Sequence, residues 1–192
     1  MIQVSDKIRA FLSINITDDI LLQKISKVQN SLDRSSAKMK LVEPENIHFT
    51  LRFLGDTSLA KLEALEKEVE KVSFDSFDIM IETVGTFPKI SKPRVVWVGV
   101  IHNATKFIEL KRMIDSGFAR QGYRKDRRFT PHATIARIRS IKDRKRLKEN
   151  LMFLADTKIG KMEIKRVSMM SSTLTPKGAI YKELWSINAR NR

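Results

Sequence analysis

His48-Phe49-Thr50-Leu51 recurs in this chain as His132-Ala133-Thr134-Ile135, and that repeated His-x-Thr-aliphatic pattern decides how the rest is read. The chain has three histidines, and two of them stand in the pattern. On a strand, residues two apart project from one face. His48 and Thr50 are therefore expected to point together while Phe49 and Leu51 enter the core, and His132 and Thr134 to do the same. Histidine is the side chain best placed to exchange protons near neutral pH. Two imidazoles on opposite sides of a phosphate suit in-line displacement: one takes a proton from water, the other gives one to the departing oxygen. The two threonine hydroxyls can donate to the non-bridging oxygens. The third histidine, His102, has its threonine one place further on, at Thr105, and is read as structural or surface.

The chain around each motif repeats too. Arg9 to Ile14 reads as a strand. A helix is expected over about 18–34, with Asp18 as N-cap and Ile20, Leu21, Ile25, Val28 and Leu32 on its apolar face. A short strand at 39–42 and the His48 strand follow. In the second half, a strand at 94–100 and a helix at 104–120 lead to the His132 strand. Each motif is then followed by a helix (58–72 and 141–151), a strand (77–84 and 162–170) and a proline-containing turn (Phe87-Pro88 and Thr175-Pro176). A tryptophan lies on each returning strand, at Trp97 and Trp185. Correspondences in one order imply a duplication. The repeats run over about 8–88 and 93–176, and a C-terminal strand at 180–188 completes a sheet. No Gly/Ser-rich linker divides the chain, so 1–192 is expected to be one domain of two interleaved lobes.

Composition narrows the chemistry. With 192 residues, 42% of them hydrophobic, the chain is long enough to bury a core without a staple. It has no cysteine, which removes disulfides, thiolate zinc sites and a cysteine nucleophile. No histidine pair has the helical spacing of a zinc site, and neither a Walker loop nor a Gly-x-Ser-x-Gly elbow occurs. The net charge of +15, from 37 Lys+Arg against 22 Asp+Glu, fits either a polyanionic partner, nucleic acid first, or a soluble protein from a lysine-rich organism. Met1 to Ala10 has no apolar core, so no signal peptide is expected, and no apolar run approaches the roughly 18 residues of a membrane span. The expected location is the cytoplasm.

These residues resemble the two-histidine phosphoesterase superfamily, and within it the RNA 2′,3′-cyclic phosphodiesterases, also called 2′-5′ RNA ligases. The carriers are Arg9-Ala10-Phe11-Leu12-Ser13-Ile14, Asn46 to Gly55 around the first motif, Gly85-Thr86-Phe87-Pro88, Pro93 to Trp97, and Phe129 to Arg137 around the second. The resemblance covers nearly the whole chain in order. It implies an α+β, bilobal duplication: two antiparallel sheets with outer helices, facing each other across a central cleft with pseudo-twofold symmetry. It implies metal-independent hydrolysis of a terminal 2′,3′-cyclic phosphate to a 2′-phosphate, with no cofactor and with 2′-5′ ligation as the reverse reaction. It also implies that His48 is the proton donor and His132 the acceptor; the residues themselves, being symmetric, leave that assignment open.

Substrate contacts are expected from four further residues. Arg52 shares the face of His48 and Thr50 by alternation. Arg137 reaches the phosphate if its strand bulges after Ile135. Arg128, with Arg124, Lys125 and Arg127, belongs to a basic run that either tracks RNA or is a solvated loop. Phe11 either lines the cleft and stacks a base or is core. The expected partner is RNA with a cyclic-phosphate end, such as a tRNA fragment, and the protein is expected to be a monomer without metal or membrane. Two other readings are a sibling phosphoesterase acting on a cyclic phosphate of ADP-ribose or on 2′-5′ oligoadenylate, and a basic RNA-binding module without turnover.

Overall fold

The computed structural model describes residues 7–101, 104–124, 126, 129–176 and 178–190. Within them the chain forms β1 (Lys7–Asn15), α1 (Asp19–Asn30), β2 (Ala37–Leu41), a 3-10 turn (Pro44–Asn46), β3 (His48–Ser58), α2 (Leu59–Glu70), β4 (Phe77–Ile81) and β5 (Thr83–Phe87). The second half supplies β6 (Val95–Gly99), α3 (Thr105–Arg120), β7 (His132–Ile141), α4 (Arg144–Leu154), β8 (Gly160–Ile164), β9 (Arg166–Thr175) and β10 (Gly178–Asn188).

α1, α2 and α4 start where short polar side chains stop the preceding chain. Asp18 accepts from the Leu21 N–H at 2.9 Å, Asp143 from that of Arg146 at 3.0 Å and Ser58 from that of Lys61 at 3.4 Å, each relieving an otherwise unpaired first-turn donor. α1 ends at Asn30 and not at the expected Arg34. The Asp33 carboxylate accepts from the N–H groups of Ser35 and Ser36, which folds 33–36 into a turn. Leu21, Ile25, Val28 and Leu32 are buried as expected, but Ile20 is 64% exposed and does not belong to that face.

The main sheet has eight strands in the order β10-β9-β1-β3-β7-β6-β5, with β2 also paired to β7; β4 and β8 form a separate two-stranded sheet. Every pairing between these strands is antiparallel. The eight-stranded sheet is two four-stranded halves, β10-β9-β1-β3 and β2-β7-β6-β5, joined by one residue pair, Phe49 with Ala133. β2 and β5 come from the first part of the chain yet sit in the second half-sheet, and β9 and β10 sit in the first.

The single strands expected at 77–84 and 162–170 are each two strands. The breaks fall at Glu82 and Lys165, where the chain passes from the small sheet to the large one. Thr83 and Val84 are both buried, which a continuous two-residue alternation does not allow. The core runs behind both half-sheets, with Phe49, Leu51, Ala133 and Ile135 at most 1% exposed. No helix among the described residues is long and apolar enough to cross a membrane.

Candidate active site

β3 and β7 meet at their first residues and then part, and the site lies on that short overlap. Pairing Phe49 with Ala133 in antiparallel sense sets Thr50 across from His132 and Thr134 across from His48. Phe49 and Ala133 are fully buried behind the sheet, so the alternate side chains face forward. His48, Thr50, His132 and Thr134 line one cavity of about 210 Å³, together with Phe53, Phe87, Arg137 and Tyr181.

Both imidazoles are anchored in the same way. Nδ1 of His48 lies 2.8 Å from the Asn46 carbonyl, and Nδ1 of His132 lies 2.7 Å from that of Thr130. A carbonyl only accepts, so Nδ1 carries the proton in each ring and the neutral form keeps its lone pair on Nε2. The rings are also held by aromatic contacts. Phe11 stacks on His48 with centroids 4.8 Å apart, and Tyr181 meets it edge-on at 5.4 Å. Phe87 meets His132 edge-on at 4.8 Å, with Trp97 at 6.0 Å. Trp97 in turn lies across two glycines: a Cβ on Gly85 would fall 2.1 Å from its ring, and one on Gly99 2.6 Å.

Burial holds both imidazoles below the ordinary histidine pKa. His48 is pushed down to about 4, by burial first and then by the charge of Arg137 and by His132, against the Asn46 hydrogen bond. His132 is lowered by its own burial and by Arg137, against the Thr130 hydrogen bond. In the unliganded protein both rings are neutral near pH 7, with Nε2 ready to accept a proton.

Among the expected substrate contacts, Arg137 reaches the cavity and Arg52 does not. In β7, Val96 pairs with Ala136 and Trp97 with Thr134, so Ile135 is an extra residue. Ile135 and Ala136 are both buried, and Arg137 returns to the face of His132 and Thr134. The bulge is fixed from behind: buried Gln29 on α1 donates to the Ile135 and Val42 carbonyls, each at 2.8 Å. The same irregularity in β3 defeats the alternation argument for Arg52. Ser13 pairs with Thr50 but Leu12 with Arg52, so Leu51 is the extra residue and Arg52 turns inward. It is 9% exposed and ion-paired to Asp126 at 2.9 Å and Asp115 at 3.5 Å, inside a cluster completed by buried Lys111. Its guanidinium is held by these carboxylates and borders not that cavity but the space beside it, with Thr50, Phe53 and Asp126.

Phe53 takes the forward position instead and is 72% exposed. Strict alternation carried through the bulge hides it in the sequence. Of the two readings of Phe11, the core one holds and the base-stacking one does not. At 4% exposure, with a face against His48, it orients the imidazole and has no open surface for a base. Phe87, Tyr181 and Trp97 are ring neighbours that the motifs alone do not name; the Gly85 to Pro88 and Pro93 to Trp97 segments carry a signal for Phe87 and Trp97, and none points to Tyr181. Arg128, Lys125, Arg127 and His102 lie outside the described residues.

A model of the family described as LigT like Phosphoesterase matches twice, over residues 17–97 and 99–181. A Methanothermobacter thermautotrophicus protein named RNA 2′,3′-cyclic phosphodiesterase is 38% identical over 93% of this chain and 97% of its own length. A Methanocaldococcus jannaschii protein of the same name is 35% identical over 91% and 96%. Among solved structures, the apo form of Escherichia coli LigT superposes with a TM-score of 0.77 at 22% identity, covering 96% of this chain and 99% of that one. A Thermus thermophilus protein gives 0.77 at 22% identity, over 95% and 98%.

Proposed function

The chain belongs to the LigT-like phosphoesterase family, and on that premise we propose that it is an RNA 2′,3′-cyclic phosphodiesterase, opening terminal cyclic phosphates to 2′-phosphomonoesters. The observation that carries the reading is the pairing of His48 and His132 at the tips of β3 and β7, each ring tethered through Nδ1 and each with a threonine beside it. The like-named relatives favour RNA ends over the other nucleotide substrates.

Hydrolysis at this site runs as one displacement. Water attacks phosphorus as the bond to the 3′ oxygen breaks. One Nε2 takes the proton from the water, and the other, protonated, delivers its proton to the 3′ oxygen. Following the family resemblance, His132 is the acceptor and His48 the donor. Since burial keeps His48 neutral in the free enzyme, its proton is taken up with the substrate, whose negative charge stabilises the imidazolium. Arg137, Thr50 and Thr134 hold the non-bridging oxygens as charge develops. A 5′-hydroxyl attacking in place of water, with the same 3′ oxygen leaving, gives a 2′-5′ phosphodiester bond instead.

The reading needs no metal, since the two imidazoles handle both protons and the cavity lining, among the described residues, carries no carboxylate. Cyclic-phosphate RNA fragments in the cytoplasm and a monomeric enzyme complete the proposal, and light scattering tests the last. The roles are tested by His48→Ala and His132→Ala. Each is expected to lose at least about 10²- to 10⁴-fold in kcat with unchanged circular dichroism. A single variant near the parent rate overturns the pair.

A further inference from the structure

We propose that the exposed face of β2 and β7, leading away from Arg137, binds the RNA strand upstream of the reacting end. This rests on the reading of the site as one for RNA cyclic-phosphate ends. A cyclic phosphate closes the 3′ end of its chain, so the remaining RNA departs from the terminal nucleoside through its 5′ oxygen alone.

The catalytic cavity opens on two sides of unlike chemistry. On one side it adjoins a space lined by Phe53, Phe87 and Phe129, with the Arg52–Asp126 ion pair at its edge. Flat apolar rings suit a nucleobase. On the other it shares Val42, Asn46, Arg137 and Tyr181 with a groove of about 540 Å³ between β2 and the β9–β10 hairpin.

Cations continue from that groove along the sheet. Lys38 and Lys40 on β2, Arg137 and Arg139 on β7, and Arg94 just before β6 are all exposed. Lys40 pairs directly with Arg137 across the strands, and Arg94 Nη1 donates to the Arg139 carbonyl at 3.4 Å. β2, β6 and β7 contain no aspartate or glutamate. A row of cations along one exposed face suits the phosphates of a polyanion laid along it. Glu43 and Glu45 also border the groove. As acceptors they suit ribose hydroxyls, which puts the phosphates on the β7 side. Leu174 and Ile180, 70% and 52% exposed, give the hairpin wall apolar faces for a base.

The test compares adenosine 2′,3′-cyclic phosphate with an RNA octanucleotide bearing the same end, over a range of salt concentrations. The parent enzyme is expected to show a higher kcat/KM on the octanucleotide and a steeper fall with salt. K38A and R139A, which leave the catalytic residues in place, are each expected to reduce the slope of log kcat/KM against log salt by about one on the octanucleotide. Neither should change the mononucleotide rate, which also reports an intact fold. Equal kcat/KM and equal salt slopes for the two substrates, or variants that leave the octanucleotide slope unchanged, overturn the proposed path. Failure to hydrolyse either substrate overturns the phosphodiesterase reading itself, and the path with it.

Discussion

Phe53 and Arg137 occupy equivalent places, each five residues after a motif histidine and each returned to the cavity by a bulge. The two halves of the site thus match in their histidines and threonines and differ at this position. On the proposed reading, the cation draws the phosphate to the β7 side, and the phenyl ring leaves the β3 side for the nucleoside. Arg137→Ala is expected to lower kcat/KM by about 10²- to 10³-fold, the usual cost of removing a group that meets developing charge. Phe53→Ala is expected to raise KM with little change in kcat. Steady-state kinetics on a cyclic-phosphate substrate separates the two effects, and equal losses in kcat for both variants would contradict this division.

The histidine environment predicts an acid-shifted profile. Free-enzyme groups shape kcat/KM, and both imidazoles lie below 6.5, His48 at about 4. The pair titrates as a unit, so kcat/KM is expected to be bell-shaped, with both limbs on the acid side of 6.5. Arg137→Ala removes a cation that depresses both rings and should move the bell upward. A limb well above pH 7 in the parent would count against the assigned environments.

Stability should carry the same signature. A histidine whose pKa is depressed on folding favours the native state above its unfolded value, near 6.5, and loses that contribution as pH falls towards the folded value, near 4 for His48. Denaturant midpoints are expected to fall between pH 7 and pH 4, and less steeply in His48→Gln. The His48 share is on the order of 3 kcal/mol. Parallel pH dependences for parent and variant would contradict it.

The glycines beneath Trp97 supply a prediction remote from the phosphate. Gly85→Ala places a methyl within the indole ring and must displace it. Overpacking of this kind costs about 1–3 kcal/mol. Because Trp97 and Phe87 pack together and both border His132, turnover should fall with stability. Activity and the thermal midpoint are read on one preparation, and a destabilised variant of full activity would show that Trp97 does not position His132.

Gln29 is the corresponding support for Arg137. Gln29→Leu keeps the volume and removes the donors to the Ile135 carbonyl in the bulge and to the Val42 carbonyl beside it. If the bulge then relaxes, Arg137 leaves the cavity and the kcat/KM profile moves upward as in Arg137→Ala. An unshifted profile would limit Gln29 to stability.

Much of this site is legible in the sequence because strand periodicity is a local property. It brings His48 and Thr50 to one face, His132 and Thr134 to another, and the repeat order brings those faces together. Arg52 and Phe53 escape that reading for one reason. An inserted residue at Leu51 inverts the side chains that follow, Arg52 and Phe53, until a second insertion at Leu54, and nothing in the residue types around Leu51 announces the first. Phe11 escapes it because alternation gives a face and not a depth, and only the packed His48 ring shows that its surface is already covered. The breaks at Glu82 and Lys165 are hidden likewise. The chain changes sheets there without a proline or glycine, and only long-range pairing of β4 with β8 reveals it. Arg137 shows the reverse case, where the need for a bulge is readable but its support, Gln29, lies more than a hundred residues away in the chain.

The most direct test of the central claim is the fate of the phosphate. The protein is incubated in EDTA with an RNA oligonucleotide ending in a 2′,3′-cyclic phosphate, and the product end is located with phosphatase and 2′-phosphate-specific probes. A 2′-phosphomonoester formed at the same rate with and without EDTA is the predicted result. A 3′-phosphate product, an unchanged cyclic end, or activity lost on chelation would contradict displacement of the 3′ oxygen by His48 and His132 alone.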